Sequence, residues 1–395
     1  LIVIVGRINY SASNGAHKDV QRKSDKRKAR KRKADKRTGA GRSPSPLLLV
    51  SALVIGLISV CGLTGCTGGK SSGNRAVNLA AGGKNAGITL RIGHQRADAL
   101  NLLKVRGDLD RRLAAQGVKV EWANFPAGPP LLEALGVGSL DLGSTGESPP
   151  LFAQASGSSL VYLANIPLPE DPGKGQAILV KSDSPIHTVA DLKGRRVAFS
   201  KASGAHNLVL QALEQAGLKY TDIQPIFLAP PDARAAFESG SIDAWAIWEP
   251  YLTVAEQKTQ ARVLVDAGKI VTPGGFYLAS RAFAKEHPEI LKIALEEIDR
   301  VGVWANAHPN DAAQILSQNS GVEASTLLLL QNKRARKGIR SIDDEIIKQQ
   351  QTVADNYVRI GLLPKPIDVR EAMLTPAEYA ALTPAFTKSA AKAGP

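Results

Sequence analysis

The sequence predicts an α/β protein of two lobes, each a sheet flanked by helices, facing each other across a ligand cleft. Three observations carry this reading. From Ile88 onward strand-like and helix-like runs alternate, the order that builds a mostly parallel sheet with helices on its faces. The alternation occurs twice, and apolar strand-like runs join the two units. At 395 residues the chain also exceeds one ordinary domain, so two lobes and a non-globular leader are expected.

The first 87 residues stand apart. Residues 1–46 hold 14 Lys/Arg and 3 Asp/Glu, so +11 of the net +14 sits there and the rest is near +3. That balance disfavours a nucleic-acid surface spread over the body. The basic run 22–37 reads as an RNA-binding arm or as a cationic leader, and the segment after it favours the leader. Residues 47–63, LLLVSALVIGLISVCGL, carry no charge and are followed by Thr64, Gly65 and Cys66. Positive, then apolar, then small residues is the order of an export signal. The ending Leu63-Thr64-Gly65-Cys66 resembles the lipobox of bacterial lipoproteins, which implies lipid on the Cys66 thiol. The alternative is an uncleaved anchor, because 17 apolar residues approach the roughly 20 that span a bilayer. Either way the body is expected outside the cytoplasm. Cys61 and Cys66 are the two cysteines, so the body has none for a disulfide, a metal or a nucleophile. Residues 66–87 are rich in Gly, Ser and Asn and read as a flexible tether.

In the body, ITLRIGHQ and VKVEWANF read as strands around one helix, ALNLLKVRGDLDRRLAAQG, that ends at Gly117. PPLLEALGVGS is a helix, LDLGST a short buried strand, and the next helix starts at Glu147-Ser148, with Pro149 and Pro150 in its first turn. LVYLANIPL and QAILV are strand-like. A second unit follows with RRVAFS, the helix SGAHNLVLQALEQAG, the strand in YTDIQPIFLAP, and the helix and strand of PPDARAAFESGSIDAWAIWEP. From Gly274, GGFYLAS crosses back, and the remainder is helical. Lobe 1 is accordingly drawn as 88–181 with 276–395, and lobe 2 as 182–275.

Two strand-to-helix junctions point to chemistry: residues 143–148, GSTGES, and residues 200–207, SKASGAHN. Each sets small residues and hydroxyls at a helix start, where free N–H groups and the positive dipole end meet anions. Facing one cleft they would form an anion clamp, although either alone reads equally as an ordinary helix cap. Gln95 ends the first strand, where open α/β sheets place ligand contacts. Trp245, Trp248 and Phe276 are aromatics suited to walling an apolar tail or to plain core. His206 reads as a hydrogen-bond donor to the anion or to a nearby loop. No H-E-x-x-H spacing or paired acid and base is found, so neither a metal, a cofactor nor catalysis is expected.

Together, LRIGHQ, VEWANFPAGPPLLEALGVGSLDLGSTGESPPLFAQA, ILVKSDSPIHTVADLKGRRVA, SGAHNLVLQALEQAGLKYTDI, PPDARAAFESGSIDAWAIWEPYL and GGFYLASRAFA closely resemble the aliphatic-sulfonate-binding proteins of ABC importers, over about residues 88–375. The resemblance implies the two-lobed periplasmic-binding-protein fold of type II and an alkanesulfonate in the interlobe cleft. It further implies an ABC permease as partner, a monomer, and a periplasmic or cell-envelope location at the outer face of the cytoplasmic membrane. Relatives that bind taurine, nitrate or pyrimidine precursors share parts of the pattern, and an enzyme acting on such a precursor is the rival from another class. Carried over, the resemblance places Gln95, Thr145, Gly146, Glu147, Ser203, Gly204, Ala205, His206, Trp248, Glu249 and, more loosely, Phe276 around the ligand. A sulfonate is always ionised, so its site needs N–H and hydroxyl donors. Glu147 would repel it, and is therefore expected to cap its own helix, meet an amine or take a lobe-closing donor.

Overall fold

Two five-stranded sheets of matching strand order frame the computed structural model, which describes residues 85, 87–169, 171–270, 272–333 and 338–382. The basic leader, the apolar segment and Cys66 lie outside the described residues. The strands are β1 (Thr89–Gln95), β2 (Lys119–Phe125), β3 (Leu142–Thr145), β4 (Leu160–Ile166), β5 (Gln176–Lys181), β6 (Arg196–Phe199), β7 (Gln224–Phe227), β8 (Ala244–Trp248), β9 (Ala261–Asp266) and β10 (Gly275–Ser280). One sheet runs β2-β1-β3-β10-β4 and the other β7-β6-β8-β5-β9. In each, three strands are parallel, as helical crossovers require, and the fourth position is antiparallel.

That fourth strand is where the chain changes lobe. β5 pairs with β8 and β9, and β10 pairs with β3 and β4. The second lobe therefore begins between Ile166 and Gln176, which corrects the boundary drawn at 181/182. QAILVK is apolar enough for either sheet, and its pairing partners lie far along the chain. The strand β9 was not singled out in the sequence.

The helices of the first unit are α1 (Ala99–Arg106), α2 (Asp108–Ala114), α3 (Gly128–Gly136) and α4 (Ser148–Ala155). One helix was expected across α1 and α2. Gly107 divides it: at φ +69° it takes the left-handed conformation and its N–H caps Leu103 O, a termination that favours glycine. The second lobe holds α5 (Gly204–Gln215), α6 (Pro230–Glu238) and α7 (Tyr251–Lys258). Returning to the first lobe, the chain forms α8 (Arg281–Glu286), α9 (Pro288–Ala307), α10 (Pro309–Ser320), α11 (Ala324–Lys333), α12 (Asp344–Arg359) and α13 (Pro376–Leu382). Residues Ile346, Gln350, Val353, Ala354 and Tyr357 of α12 are buried, a helical stripe that packs beside α4.

Both lobes lock their parallel strands with the same device. Arg91 in β1 donates from its backbone N, Nε and Nη2 to Asp141, and Arg196 in β6 donates likewise to Asp243. Each aspartate immediately precedes the neighbouring parallel strand, β3 or β8, so the bidentate pair ties the two strands together. The sequence shows the repetition as GSLD and GSID.

Candidate functional site

The carboxyl ends of β1, β3 and β8 and the start of α5 converge on a cavity of about 310 Å³ between the lobes. This is where open α/β sheets bind ligands, outside the strand ends. The crossing segments close its sides with Ile166, Pro167, Leu168, Gln176 and Thr272. Asn165 anchors one crossing to the other, donating from Nδ2 to Pro273 O and Gly275 O, both at 2.9 Å. Gly274 allows this approach: its φ is +89°, and a Cβ there would lie 2.4 Å from Ile166 O.

Eight of the expected residues wall the cavity: Gln95, Thr145, Gly146, Glu147, Ser203, Gly204, Trp248 and Glu249. Gln95 is held by its Nε2 donating to Ser144 O at 2.9 Å. Beside it Asp98 accepts from Gln95 N, Asn101 N and Ser144 Oγ, so its charge is spent on capping α1. Thr145 donates to Gly146 O at 2.9 Å. Trp248 lies edge-on to Tyr251 with centroids 6.5 Å apart.

The two helix starts are unequal. Pro149 and Pro150 occupy the first turn of α4, and proline has no N–H to offer an anion. α5 begins Gly204-Ala205 and retains its donors. The Ser203 hydroxyl is committed, accepting from His206 N and donating to Ser200 O at 2.6 Å. For that side chain the capping reading prevails, and the symmetric clamp reduces to the start of α5.

Glu147 crosses the cleft. Its Oε1 accepts from Asn207 Nδ2 of the opposite lobe at 3.1 Å and from Ser148 Oγ at 3.2 Å. Its Oε2 lies 3.1 Å from where a Gly204 Cβ would sit, so the carboxylate rests on the α5 start and Gly204 leaves it room. Of the three expectations for Glu147, the structure realises the lobe-closing donor. Burial pushes its carboxyl above the ordinary range, while hydrogen bonds from Asn207, Ser148 and Thr272 oppose the rise. Glu249 makes the second interlobe tie. It accepts from Thr253 N at 3.1 Å and Thr253 Oγ1 at 2.7 Å, and faces Lys333 Nζ of α11 at 3.4 Å. Tyr357 of α12 donates to Ser148 Oγ at 3.0 Å, and Arg359 pairs with Glu214 of α5.

Three expected residues are packed away from the cavity lining. Ala205 sits in the second lobe's core. His206 stacks on Phe199 at 4.8 Å and accepts from Ala202 N through Nδ1. Burial, with Lys201 nearby, pushes the imidazole down to about 3, so it stays neutral. Phe276 is fully buried edge-on to Tyr162 at 4.8 Å, while its neighbour Tyr277 lines the cavity, because successive strand residues face opposite ways. Sequence reasoning missed Arg96, the cationic residue of the described lining, although it directly follows Gln95 at a strand end. It also missed Gln176 and Thr272, and it included Asn207 in the junction 200–207 without a role of its own. Among the described residues no group of His, Cys, Asp or Glu is arranged to hold a metal.

Comparison with known proteins places this geometry. A family model described as NMT1/THI5 like matches residues 113–312. An aliphatic sulfonates-binding protein of Escherichia coli (strain K12) is 42% identical over 290 residues, 73% of this chain and 89% of that protein. Among solved structures, the alkanesulfonate-binding protein SsuA from Xanthomonas axonopodis pv. citri, bound to MOPS, superposes with TM-score 0.70 at 39% identity. The match covers 73% of this chain and 99% of that one. The desulfurization enzyme DSZB, at 17% identity and TM-score 0.54, shares the fold alone.

Proposed function

The chain belongs to the NMT1/THI5-like family, and on that footing we propose that it is the extracytoplasmic solute-binding subunit of an ABC importer, capturing aliphatic sulfonates by closure of its two lobes. The observation that carries the reading is the interlobe cavity, walled by strand ends from both lobes and by the Gly204 helix start. A sulfonate spreads one permanent charge over three oxygens and is held by directed donors rather than by a titrating partner. The first-turn N–H groups of α5, the amides of Gln95 and Gln176, and the Arg96 guanidinium are donors of that kind.

Binding and closure are one event. In the open form the contacts of Glu147 with Asn207, Lys333 with Glu249 and Arg359 with Glu214 are absent, and an anion bridging the lobes shifts the population toward the form that makes them. The closed protein, acting as a monomer, is what the membrane permease receives. Cys66 carries the lipid that tethers it to the outer face of the cytoplasmic membrane; Cys66→Ser would release the protein from the membrane fraction. Catalysis has no support in the site, where the buried His206 lies outside the cavity lining and Glu147 and Glu249 are engaged by interlobe donors.

Calorimetric titration with alkanesulfonates, taurine, nitrate and sulfate tests the proposal. Saturable binding of alkanesulfonates without turnover is expected. Silence there with binding of nitrate or another anion would move the ligand to a sister group.

A further inference from the structure

A second cavity of about 320 Å³ shares Arg96 with the first. Apolar wall comes from Pro231 and Ala235 of α6, Pro250, Tyr251 and Val254 leading into α7, and Val322 from the first lobe, and the charged Arg96, Arg234 and Glu238 complete the lining. Two features place it beside the cleft. Arg96 lines both cavities. Residues 248–251 also run from one to the other, Trp248 and Glu249 walling the cleft and Pro250 and Tyr251 the annex.

Arg96 lies across the junction, its guanidinium carbon 5.4 Å from the centroid of the Tyr251 ring. The residue is exposed, and an exposed cation–π contact is a weak tie that an entering group can displace. The cleft cavity itself, near 310 Å³, sits at the small end of ligand pockets. It also carries the carboxylates of Asp98, Glu147 and Glu249 in its wall. A short-chain sulfonate fits such a space. A longer aliphatic tail that extends past Arg96 meets the annex wall, which is buried at Pro250, Tyr251 and Val322 and open to solvent at Pro231 and Ala235.

We propose that this annex is a tail subsite for longer-chain aliphatic sulfonates, with Arg96 as the gate across its entrance. The inference rests on the sulfonate reading of the cleft. The arginine suits the position, since its guanidinium over the Tyr251 ring stands where the two cavities share a wall, and Arg234, paired with Glu238, also lines the annex.

The test is titration of the protein with linear sulfonates from ethane- to decanesulfonate. Affinity is expected to rise through the long members by up to about fourfold per added methylene, the increment for fully burying one CH₂. Ala235 is exposed on α6 and lines only the annex. Ala235→Glu should therefore cancel the gain of the long members and leave ethanesulfonate affinity unchanged. Arg96→Ala reads the same passage independently: whatever it does to head-group affinity, the ratio of decane- to ethanesulfonate affinity should increase. A wild-type series that levels off after the short members, or long members that gain equally in Ala235→Glu, would overturn the annex and leave the cleft reading standing. Failure of every chain length to bind would instead defeat the sulfonate reading.

Discussion

In a Glu147→Gln variant the carboxylate that the closed cleft buries against the opposite lobe becomes a neutral group of the same size. Glu147 is 3% exposed, and its described partners are the neutral donors Asn207, Ser148 and Thr272. Arg96, Asp98 and Glu249 wall the same cavity, with Lys333 behind Glu249 and Tyr357 packed alongside. Because burial raises the Glu147 carboxyl in the closed form, closing takes up a proton wherever the open form has lost one. The closed form is therefore most favoured below the ordinary carboxyl range, and that advantage is lost as pH rises through the raised value. Within this window the closing equilibrium weakens by up to about 1.4 kcal/mol, or tenfold, per pH unit. The glutamine keeps an oxygen for Asn207 but has no proton to lose. Sulfonate affinity measured by calorimetry between about pH 4 and pH 8 should fall with pH in the wild type and stay flat in the variant. The ligand remains ionised throughout and contributes no slope of its own. Equal slopes in the two proteins would refute the assignment of the proton to Glu147.

Two further outcomes follow from burial. His206 should show no titration in imidazole NMR spectra across the physiological range, because it is held neutral down to about 3; a midpoint near the ordinary histidine value would contradict the packing against Phe199. The Asp141 and Asp243 side chains make the same bidentate contact but are 4% and 26% exposed. Asp141→Ala is expected to cost about 3 kcal/mol in chemical denaturation and Asp243→Ala about half that, since desolvation sets what a broken pair costs. Equal losses would show that exposure is not the deciding factor.

Most of the frame was legible along the chain. Alternating apolar residues placed β1, and strand ends followed by Ser, Thr and Gly placed the junctions at Gly146 and Gly204, because local periodicity and capping act over a few residues. Misreadings came where a distant partner decides. QAILVK has the composition of a strand, but its membership of the second sheet depends on β8 and β9. Phe276 and Tyr277 are equally plausible wall residues until the register of β10 against β3 turns one to the core and the other to the cavity. Pro149 and Pro150 mark the start of α4 in the sequence, whereas the N–H groups they lack matter only once α4 opens onto the cavity.

The sequence by itself determined the two α/β units, the near-neutral body behind a basic leader and the family resemblance, all of which rest on patterns within short windows or on composition. Only the tertiary structure decided that Glu147 reaches Asn207 across the cleft, that His206 is sealed in an aromatic core, and that Arg96 stands between two cavities. Each of these depends on residues far apart in the chain, 60 positions for Glu147 and Asn207, or on the facing of one side chain, and the free energy of burial that settles them belongs to the assembled lobes rather than to any stretch of chain.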